Sequence, residues 1–277
     1  WSKAEMIAPK QFREEISPYF NANPKKYISA LVSEDCWQAT PGKVVDLVRN
    51  LGIAAGGTVM EDCRVLEACR EGKYTSVLVQ THDKKYVEYR TEHFVNALGS
   101  GAGKLCDSMG IDAGLYPVRH QAFITRRLPM LGKHGTNLDM LIDRQDYKGF
   151  SAVYGQQIAY TGQIIGCASP KLDAMRIDKN LKVNTKAFLE IVSEMFSEWI
   201  PDLAGVGIQA VWAGYYTEPR YIVDPELGLF VGMRGHGFML SQYIARMYVD
   251  KLLGRPVPEY FEKLKLNGPG LSEKAFK

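Results

Sequence analysis

The sequence feature that most constrains the fold is a glycine-rich stretch, GMRGHGFML, at residues 232–240. An apolar segment precedes it at Leu229–Val231, and the apolar spacing after it predicts a helix over residues 241–253, capped by Gly254. Three glycines in six residues predict a backbone that closely approaches another group. A helix that begins in such a turn offers unpaired N–H groups and a positive dipole end, which suit a phosphate or a ring that gains negative charge on reduction. A tight turn without any ligand remains the alternative interpretation.

Composition excludes several classes of protein. The 277 residues carry a net charge of only +3 without a long run of one sign, so we expect no nucleic-acid partner. No apolar run approaches the ~20 residues of a membrane-spanning helix, so we expect no transmembrane segment. The five cysteines form no CxxC pair, which favours a reducing compartment, and we expect a cytoplasmic protein. The five histidines lack the spacing of metal ligands, so we expect no metal site.

Hydrophobic periodicity divides the rest of the chain into blocks of helix and strand. A helix is predicted from Pro41, and a second long helix over residues 183–199. Strands are predicted over residues 58–68, 75–81, 86–89, 93–98, 117–125, 140–142, 151–154, 160–166 and 207–216. The segment GSGAG at residues 99–103 follows a predicted strand and precedes a helix. It is not a GxGxxG fingerprint, because position 104 is a lysine, but it could supply a secondary backbone contact.

Four of these blocks, in this order, carry a resemblance to a known family. They are residues 38–57 with the strand that follows them, VNALG at 95–99 leading to PVRHQ at 117–121, WAGYY at 212–216, and residues 232–240. Together they resemble the D-amino-acid-oxidase-like FAD-dependent oxidoreductases, with most similarity to the sarcosine oxidase, dimethylglycine dehydrogenase and glycine oxidase branch. The fourth block is similar to the family's G-x-x-G-H-G-F segment.

The resemblance implies an α+β and α/β fold in two interleaved parts. One part is an FAD-binding domain of glutathione-reductase type, and the other is a substrate domain built on an antiparallel sheet. We expect residues 34–110 and 207–260 in the FAD domain. Residues 1–33 and 111–206 are expected in the substrate domain, and residues 261–277 form a tail.

The family begins with a βαβ unit that carries GxGxxG, and this sequence, which starts at Trp1, lacks that unit. We therefore expect a fragment or a processed chain, with the pyrophosphate-binding segment supplied by another chain or lying outside this sequence. The implied function is FAD-dependent oxidation of the C–N bond of a secondary amine or amino acid, by hydride transfer to the flavin. The reaction requires a small-molecule amine and an electron acceptor. Two alternatives stay open: a non-catalytic subunit or assembly factor that keeps the fold, and one chain of a heteromeric amine dehydrogenase.

Cofactor-binding residues follow from the matched positions. The resemblance implies that Val65 meets the adenine ring and that Ala97 and Gly99 lie near the ribose and pyrophosphate. For Val65 and Ala97 the alternative is plain strand core. The residues expected near the flavin ring, mainly through backbone N–H groups, are Gly235, His236, Gly237, Phe238 and Met239.

The expected catalytic or substrate-facing residues are Tyr154, Tyr216, Arg234 and His236. Tyr216 stands where several relatives have an arginine, and Met239 stands where sarcosine oxidases have a lysine. Arg234 is the expected replacement, because a guanidinium pairs with a carboxylate through two hydrogen bonds. The alternative for Arg234 is a solvated turn arginine, and the alternative for His236 is a structural histidine. Because the arginine of relatives at position 216 and the lysine at position 239 are both absent, we expect a larger or differently charged amine, rather than sarcosine, as the substrate.

Overall fold

The structure is a computed structural model of the chain. It describes residues 4–16, 25, 27–33, 37–131, 138–143, 150–158, 161–170, 185–201 and 205–270. The chain divides into two compact units, each built from two separate stretches of sequence. The first unit contains Trp1–Gln38 and Val118–Tyr215, and the second contains Ala39–Pro117 and Tyr216–Lys277.

Along the chain, single helices separate runs of consecutive strands. The first half of the described chain contains β1 (Ala4–Ile7), α1 (Pro9–Gln11), β2 (Ala30–Ser33), α2 (Pro41–Ala54), β3 (Arg64–Glu71), β4 (Tyr74–Gln80), β5 (Tyr86–Thr91), α3 (Ala102–Ser108) and β6 (Tyr116–Thr125). The second half contains β7 (Leu141–Asp143), β8 (Phe150–Ile158), β9 (Gln163–Pro170), α4 (Thr185–Trp199), β10 (Ile208–Glu218), β11 (Ile222–Asp224), β12 (Leu229–Val231) and α5 (Gly237–Leu252).

The first unit is organised around a sheet packed against a helix. Five of the described strands form this sheet in the order β10-β6-β9-β8-β7, and the pairs β6–β9, β9–β8 and β8–β7 are antiparallel. The apolar residues of α4 recur every three or four positions, so one face of the helix is apolar. That face enters a core with Phe123, Val153 and Ile164 from the sheet. Burying each such side chain contributes about 1.5–3 kcal/mol before the entropy cost is subtracted.

The second unit combines small sheets with α3 and α5. Within residues 39–117, β3, β4 and β5 form an antiparallel sheet. Helix α5 packs with β11 and the segment Glu259–Leu264, and its buried residues are Ile244, Met247 and Tyr248. The helix ends as expected at Gly254, which has φ +68°. The N–H of Gly254 bonds Lys251 O and that of Arg255 bonds Asp250 O, which is the Schellman pattern.

Several expected elements differ from the structure. The strand expected over residues 160–166 spans Gln163–Pro170, and residue 160 lies outside the described residues. The predicted strand over residues 58–68 begins only at Arg64, because Asp62 adopts a left-handed backbone (φ 54°) that interrupts it. The predicted strand over residues 93–98 is wrong, since only Asn96 forms a single bridge there. The last helix begins at Gly237 rather than at 241, and a 3-10 turn, Arg234–His236, precedes it.

The boundaries between the compact units fall after residues 38, 117 and 215. Within the expected tail, Phe261 and Leu264 are fully buried in the core of the second unit. Residues 271–277 of that tail lie outside the described residues. The assignment of the expected segments to an FAD domain and a substrate domain stays a prediction.

Candidate functional site

Two glycine-rich helix starts lie at the same edge of the second unit. Asn96 and Leu229 form a parallel bridge, so the segments that follow them leave the bridge in the same direction. Three residues beyond Asn96 the chain reaches Gly99, and α3 begins soon after, at Ala102. Three residues beyond Leu229 it reaches Gly232, and α5 begins at Gly237. The carboxyl ends of parallel neighbouring segments are where α/β units bind ligands.

Asn96 fixes the bridge that aligns these two segments. It is fully buried, and its side chain donates to Ala102 O (3.0 Å) and accepts from the Leu98 N–H (3.3 Å). Its backbone N–H donates to Gly228 O and its carbonyl accepts from the Phe230 N–H. Since a buried polar group is costly unless it is bonded, the side chain holds the loop before α3, while the backbone of Asn96 holds that loop to the segment at residues 228–230.

The glycine turn, defined here as residues 232–237, is held by the bend at residues 216–221, which comprises the last three residues of β10 and the three that follow. The first position of this turn, Gly232, requires glycine for two reasons. Gly232 has φ +72°, and a Cβ at this position would lie 1.9 Å from the carbonyl oxygen of Arg220. The close approach expected for this glycine is therefore to the protein's own backbone. Any larger residue would push the turn away from the bend.

Arg234 forms an ion pair inside the second unit. Its Nε donates to Glu218 Oε2 at 2.5 Å, and the side chains are 21% and 6% exposed. Arg234 also has φ +47°, a backbone conformation that is uncommon for residues other than glycine. It is therefore not a solvated turn arginine, and a partner of opposite charge already neutralises its guanidinium.

The bend also holds the next two residues of the glycine turn. The Tyr216 ring lies over Gly235, where an added Cβ would be 2.8 Å from Tyr216 Cε2. The hydroxyl of Tyr221 and Nδ1 of His236 are 2.5 Å apart and share a hydrogen bond. His236 is exposed, whereas Tyr221 is buried. Tyr216, Arg234 and His236, three of the expected site residues, are thus brought together.

The first turn of α5 is open on its outer side. Its N-cap residue, His236, makes no side-chain capping bond, and Phe238 and Met239 are exposed. Gly237 packs on Met233, since a Cβ there would lie 3.0 Å from Met233 Cβ. A 16-residue helix with an uncapped, exposed start stabilises negative charge that lies just beyond that end. This end of the helix can therefore receive an anionic group or a ring that becomes anionic.

The glycine-rich segment before α3 is more exposed than the glycine turn before α5. Ala97 and Gly99 are exposed, Gly99 has φ +54°, and no atom lies within 4 Å of a Cβ built on it. There is room above this loop for a ligand to approach the backbone. Val65 instead lies half-buried in β3 beside the cluster of Ala68, Val77 and Leu105, which agrees with the strand-core alternative. Its expected adenine contact stays a prediction.

Tyr154 belongs to the first unit. It lies half-buried on β8, opposite Ile142 of β7 and Cys167 of β9. Burial raises the pKa of the Cys167 thiol to about 11, and a hydrogen bond from Tyr154 opposes part of that rise. The expected role of Tyr154 in facing the substrate stays a prediction.

Sequence reasoning missed the residues that hold the site in place: Asn96, Glu218 and Tyr221. Asn96 stands inside the matched VNALG segment, where a lone amide among apolar residues was an available signal. Glu218 is the one acidic residue between positions 203 and 223, and it also lies in an otherwise apolar and aromatic stretch. No comparable signal identified Tyr221 among the neighbouring tyrosines.

Two kinds of feature are absent from the residues that the structure describes. No three His, Cys, Asp or Glu side chains in those ranges converge as a metal ion would require. No helix in the described part of the chain is long and apolar enough to cross a bilayer. The fold and the two glycine-rich helix starts define a class: an α+β protein with exposed helix N-termini of the kind that bind anionic groups.

Comparison with known proteins specifies the class. The family profile described as FAD dependent oxidoreductase, DAO, matches residues 2–251, so the chain belongs to this family and is an FAD-dependent oxidoreductase. No curated protein matches the chain. FAD is the family's cofactor, and the described site fits its flavin end, since the uncapped start of α5 faces outward beside an open glycine loop.

Solved structures share the fold over nearly the whole chain. L-proline dehydrogenase from P. horikoshii is 24% identical with a TM-score of 0.74, and the match covers 95% of this chain and 68% of that one. Glycine oxidase from Geobacillus kaustophilus is 16% identical with a TM-score of 0.73, covering 96% and 67%. Iminodiacetate oxidase from Chelativorans sp. BNC1 is 13% identical with a TM-score of 0.66, covering 97% and 68%. The chain therefore spans about two thirds of these structures.

Proposed function

We propose that the protein oxidises the C–N bond of a secondary amine or amino acid, with FAD as the hydride acceptor. The observation that carries this proposal is the glycine turn, held rigidly by the bend beneath it and open at the start of α5. When bound, FAD supplies the two-electron chemistry, and the protein supplies orientation and electrostatics. The first turn of α5 would stabilise the negative charge that develops on the reduced ring.

The ion pair changes the role that we propose for Arg234. Because Glu218 already neutralises its charge, we propose that Arg234 acts mainly by holding the glycine turn. Recognition of a substrate carboxylate then falls to aromatic hydroxyls, and Tyr216 beside the turn is the candidate in the second unit. The expected substrate-facing role of Tyr154, a residue of the first unit, stays a separate prediction. A site without a dominant cation would accept amines that vary more in charge than sarcosine does.

The choice of amine over alcohol substrates is supported by the named substrates of similar structures. Proline, glycine and iminodiacetate are all amines that carry at least one carboxylate, and proline and iminodiacetate are secondary amines. A glycerol-3-phosphate dehydrogenase from Bacillus halodurans also shares the fold, at 12% identity and a TM-score of 0.64. An alcohol substrate is therefore the control for the proposal.

The test is anaerobic reduction of the flavin in the natural protein, purified together with any chain that accompanies it. We expect the visible flavin band to bleach on addition of L-proline or another secondary amino acid and to persist with glycerol 3-phosphate. A dye acceptor should restore the band. Persistence with every amine, in a preparation that a chemical reductant bleaches, would exclude amine oxidation. A colourless preparation that takes up no FAD would favour the non-catalytic alternative.

We further propose that a partner polypeptide covers α2, as in a heteromeric amine dehydrogenase. The support is that none of the residues of Pro41–Ala54 is buried, although Val45 and Leu51 are 63% and 60% exposed apolar side chains. A groove of about 310 Å³ runs from Val44 and Val48 to Phe238 at the start of α5. An apolar surface that reaches the start of α5 is suited to a partner that completes the cofactor site.

A cytoplasmic location is part of the same proposal. Cys63, Cys69, Cys106 and Cys167, the described cysteines, are all free thiols. Free thiols are favoured where the compartment is reducing.

A further inference from the structure

The exposed histidine of the glycine turn is anchored from inside the second unit. Tyr221 is 7% exposed and belongs to the core cluster that includes Val223, Met247 and Phe261. Its hydroxyl reaches out of this cluster to Nδ1 of His236 at 2.5 Å. The two ring centroids are 6.1 Å apart with an interplanar angle of 53°, so the rings are tilted against each other rather than stacked.

This anchor determines which edge of the imidazole faces outward. The two ring nitrogens lie on different edges, and the partner of one nitrogen sets the proton position on the other. Because Nδ1 is directed to the buried hydroxyl, the edge that carries Nε2 is directed to the exposed side of the glycine turn. That side is also where α5 presents its uncapped start.

We propose that Tyr221 is the positioning residue for His236: its hydroxyl donates to Nδ1 and thereby keeps the proton of the neutral imidazole on Nε2. The proposal deepens the proposed function and rests on it for its catalytic consequence. A proton on Nε2 makes the exposed edge a hydrogen-bond donor. A donor placed beside the start of α5 adds to the stabilisation of negative charge at that position.

The decisive comparison is Tyr221→Phe against Tyr248→Phe. Tyr248 is a buried tyrosine of the same core cluster, and its hydroxyl has no hydrogen-bond partner among the described residues. Each substitution removes one hydroxyl and retains the ring, so both should leave the core packing intact. They differ in that Tyr221→Phe alone removes the anchor of His236.

The primary readout is the nitrogen-15 spectrum of histidine-labelled protein, in which His236 is assigned by its loss in His236→Gln. We expect the Nε2-protonated tautomer for His236 in the natural protein and after Tyr248→Phe. Tyr221→Phe should yield a mixture of tautomers. An Nδ1-protonated His236 in the natural protein, or an unchanged spectrum in Tyr221→Phe, would overturn the proposal.

The second readout is the rate of flavin reduction by the best amine. Tyr221→Phe should lower this rate about three- to tenfold with little change in KM, as the loss of one hydrogen bond implies. Tyr248→Phe should leave it unchanged, and equal losses in both variants would count against a positioning role. If no amine reduces the flavin, the proposed function fails, yet the nitrogen spectra still decide how Tyr221 acts on His236.

Discussion

Four residues of the glycine turn, at positions 232, 234, 235 and 236, each contact a different residue of the bend that precedes β11. Arg234 illustrates what such a partner does, because its left-handed backbone and its partly buried charge are both unfavourable alone. Glu218, itself 5% exposed, offsets the charge by an ion pair. Removing either partner would take this ion pair away from the charge that stays inside the unit.

We therefore predict strong energetic coupling between Glu218 and Arg234. Glu218→Ala should destabilise the protein by roughly 2–3 kcal/mol, somewhat less than a fully buried pair because the guanidinium is partly exposed. Glu218→Ala combined with Arg234→Ala should cost less than the sum of the two single changes. Denaturant unfolding of the four variants in a double-mutant cycle measures this difference.

The matched control is the ion pair between Lys73 and Glu92, whose atoms are 2.8 Å apart on the exposed surface of the same unit. A cycle on this pair should show no measurable coupling, because water screens both charges. Additive costs at Glu218 and Arg234, equal to those of the surface pair, would contradict a role of the ion pair in holding the turn.

The sequence indicated which residue types the site contains but not how they pair. Arg234 and His236 were predicted from the glycine-rich stretch and the family resemblance. Their partners Glu218 and Tyr221 lie 16 and 15 residues earlier, in a different segment. Which side chain meets which depends on the backbone of the bend, and no periodicity in the sequence encodes that path.

Elements were predicted well where a periodic pattern of apolar residues ended at a residue that terminates a helix. Helix α5 ends at Gly254 as expected, because only a residue tolerant of φ +68° lets the Schellman bonds of Gly254 and Arg255 form. The strand expected over residues 93–98 failed for the opposite reason. It has strand-like composition, but only Asn96 has a neighbouring backbone to bond, so one bridge forms and no ladder.

Because Gly254 caps α5, we predict that a change from glycine to alanine has opposite effects at Gly254 and at Gly52. Gly254→Ala should destabilise the protein by about 1 kcal/mol, because alanine is strained at positive φ. Gly52→Ala in α2 should stabilise it by roughly 0.5–1 kcal/mol, since alanine favours helix and nothing lies within 4 Å of the new methyl group. Unfolding midpoints of both variants test the pair. A stable Gly254→Ala protein would mean that the cap contributes little.

At the scale of the whole molecule, the sequence predicted two interleaved units and the structure contains two, each assembled from two stretches of chain. The exposure of α2 could not be predicted in the same way. The spacing of its apolar residues predicts a helix with a buried face. That spacing alone does not reveal what covers the face. In the structure the helix keeps its periodicity, but its apolar side chains face outward.

The exposed face of α2 leads to a prediction about assembly. Val45→Lys, at the edge of the groove that reaches Phe238, should leave the unfolding midpoint unchanged, because Val45 is already exposed. The same change should remove a co-purifying partner chain and lower the FAD content of the tagged protein isolated from its natural source, since a charge in an apolar interface must be desolvated. Tyr86→Lys is the matched control, an equally exposed apolar position on β5 outside the groove, and it should retain both partner and FAD. If the natural protein carries FAD without any partner, and Val45→Lys keeps it, then no other chain covers α2.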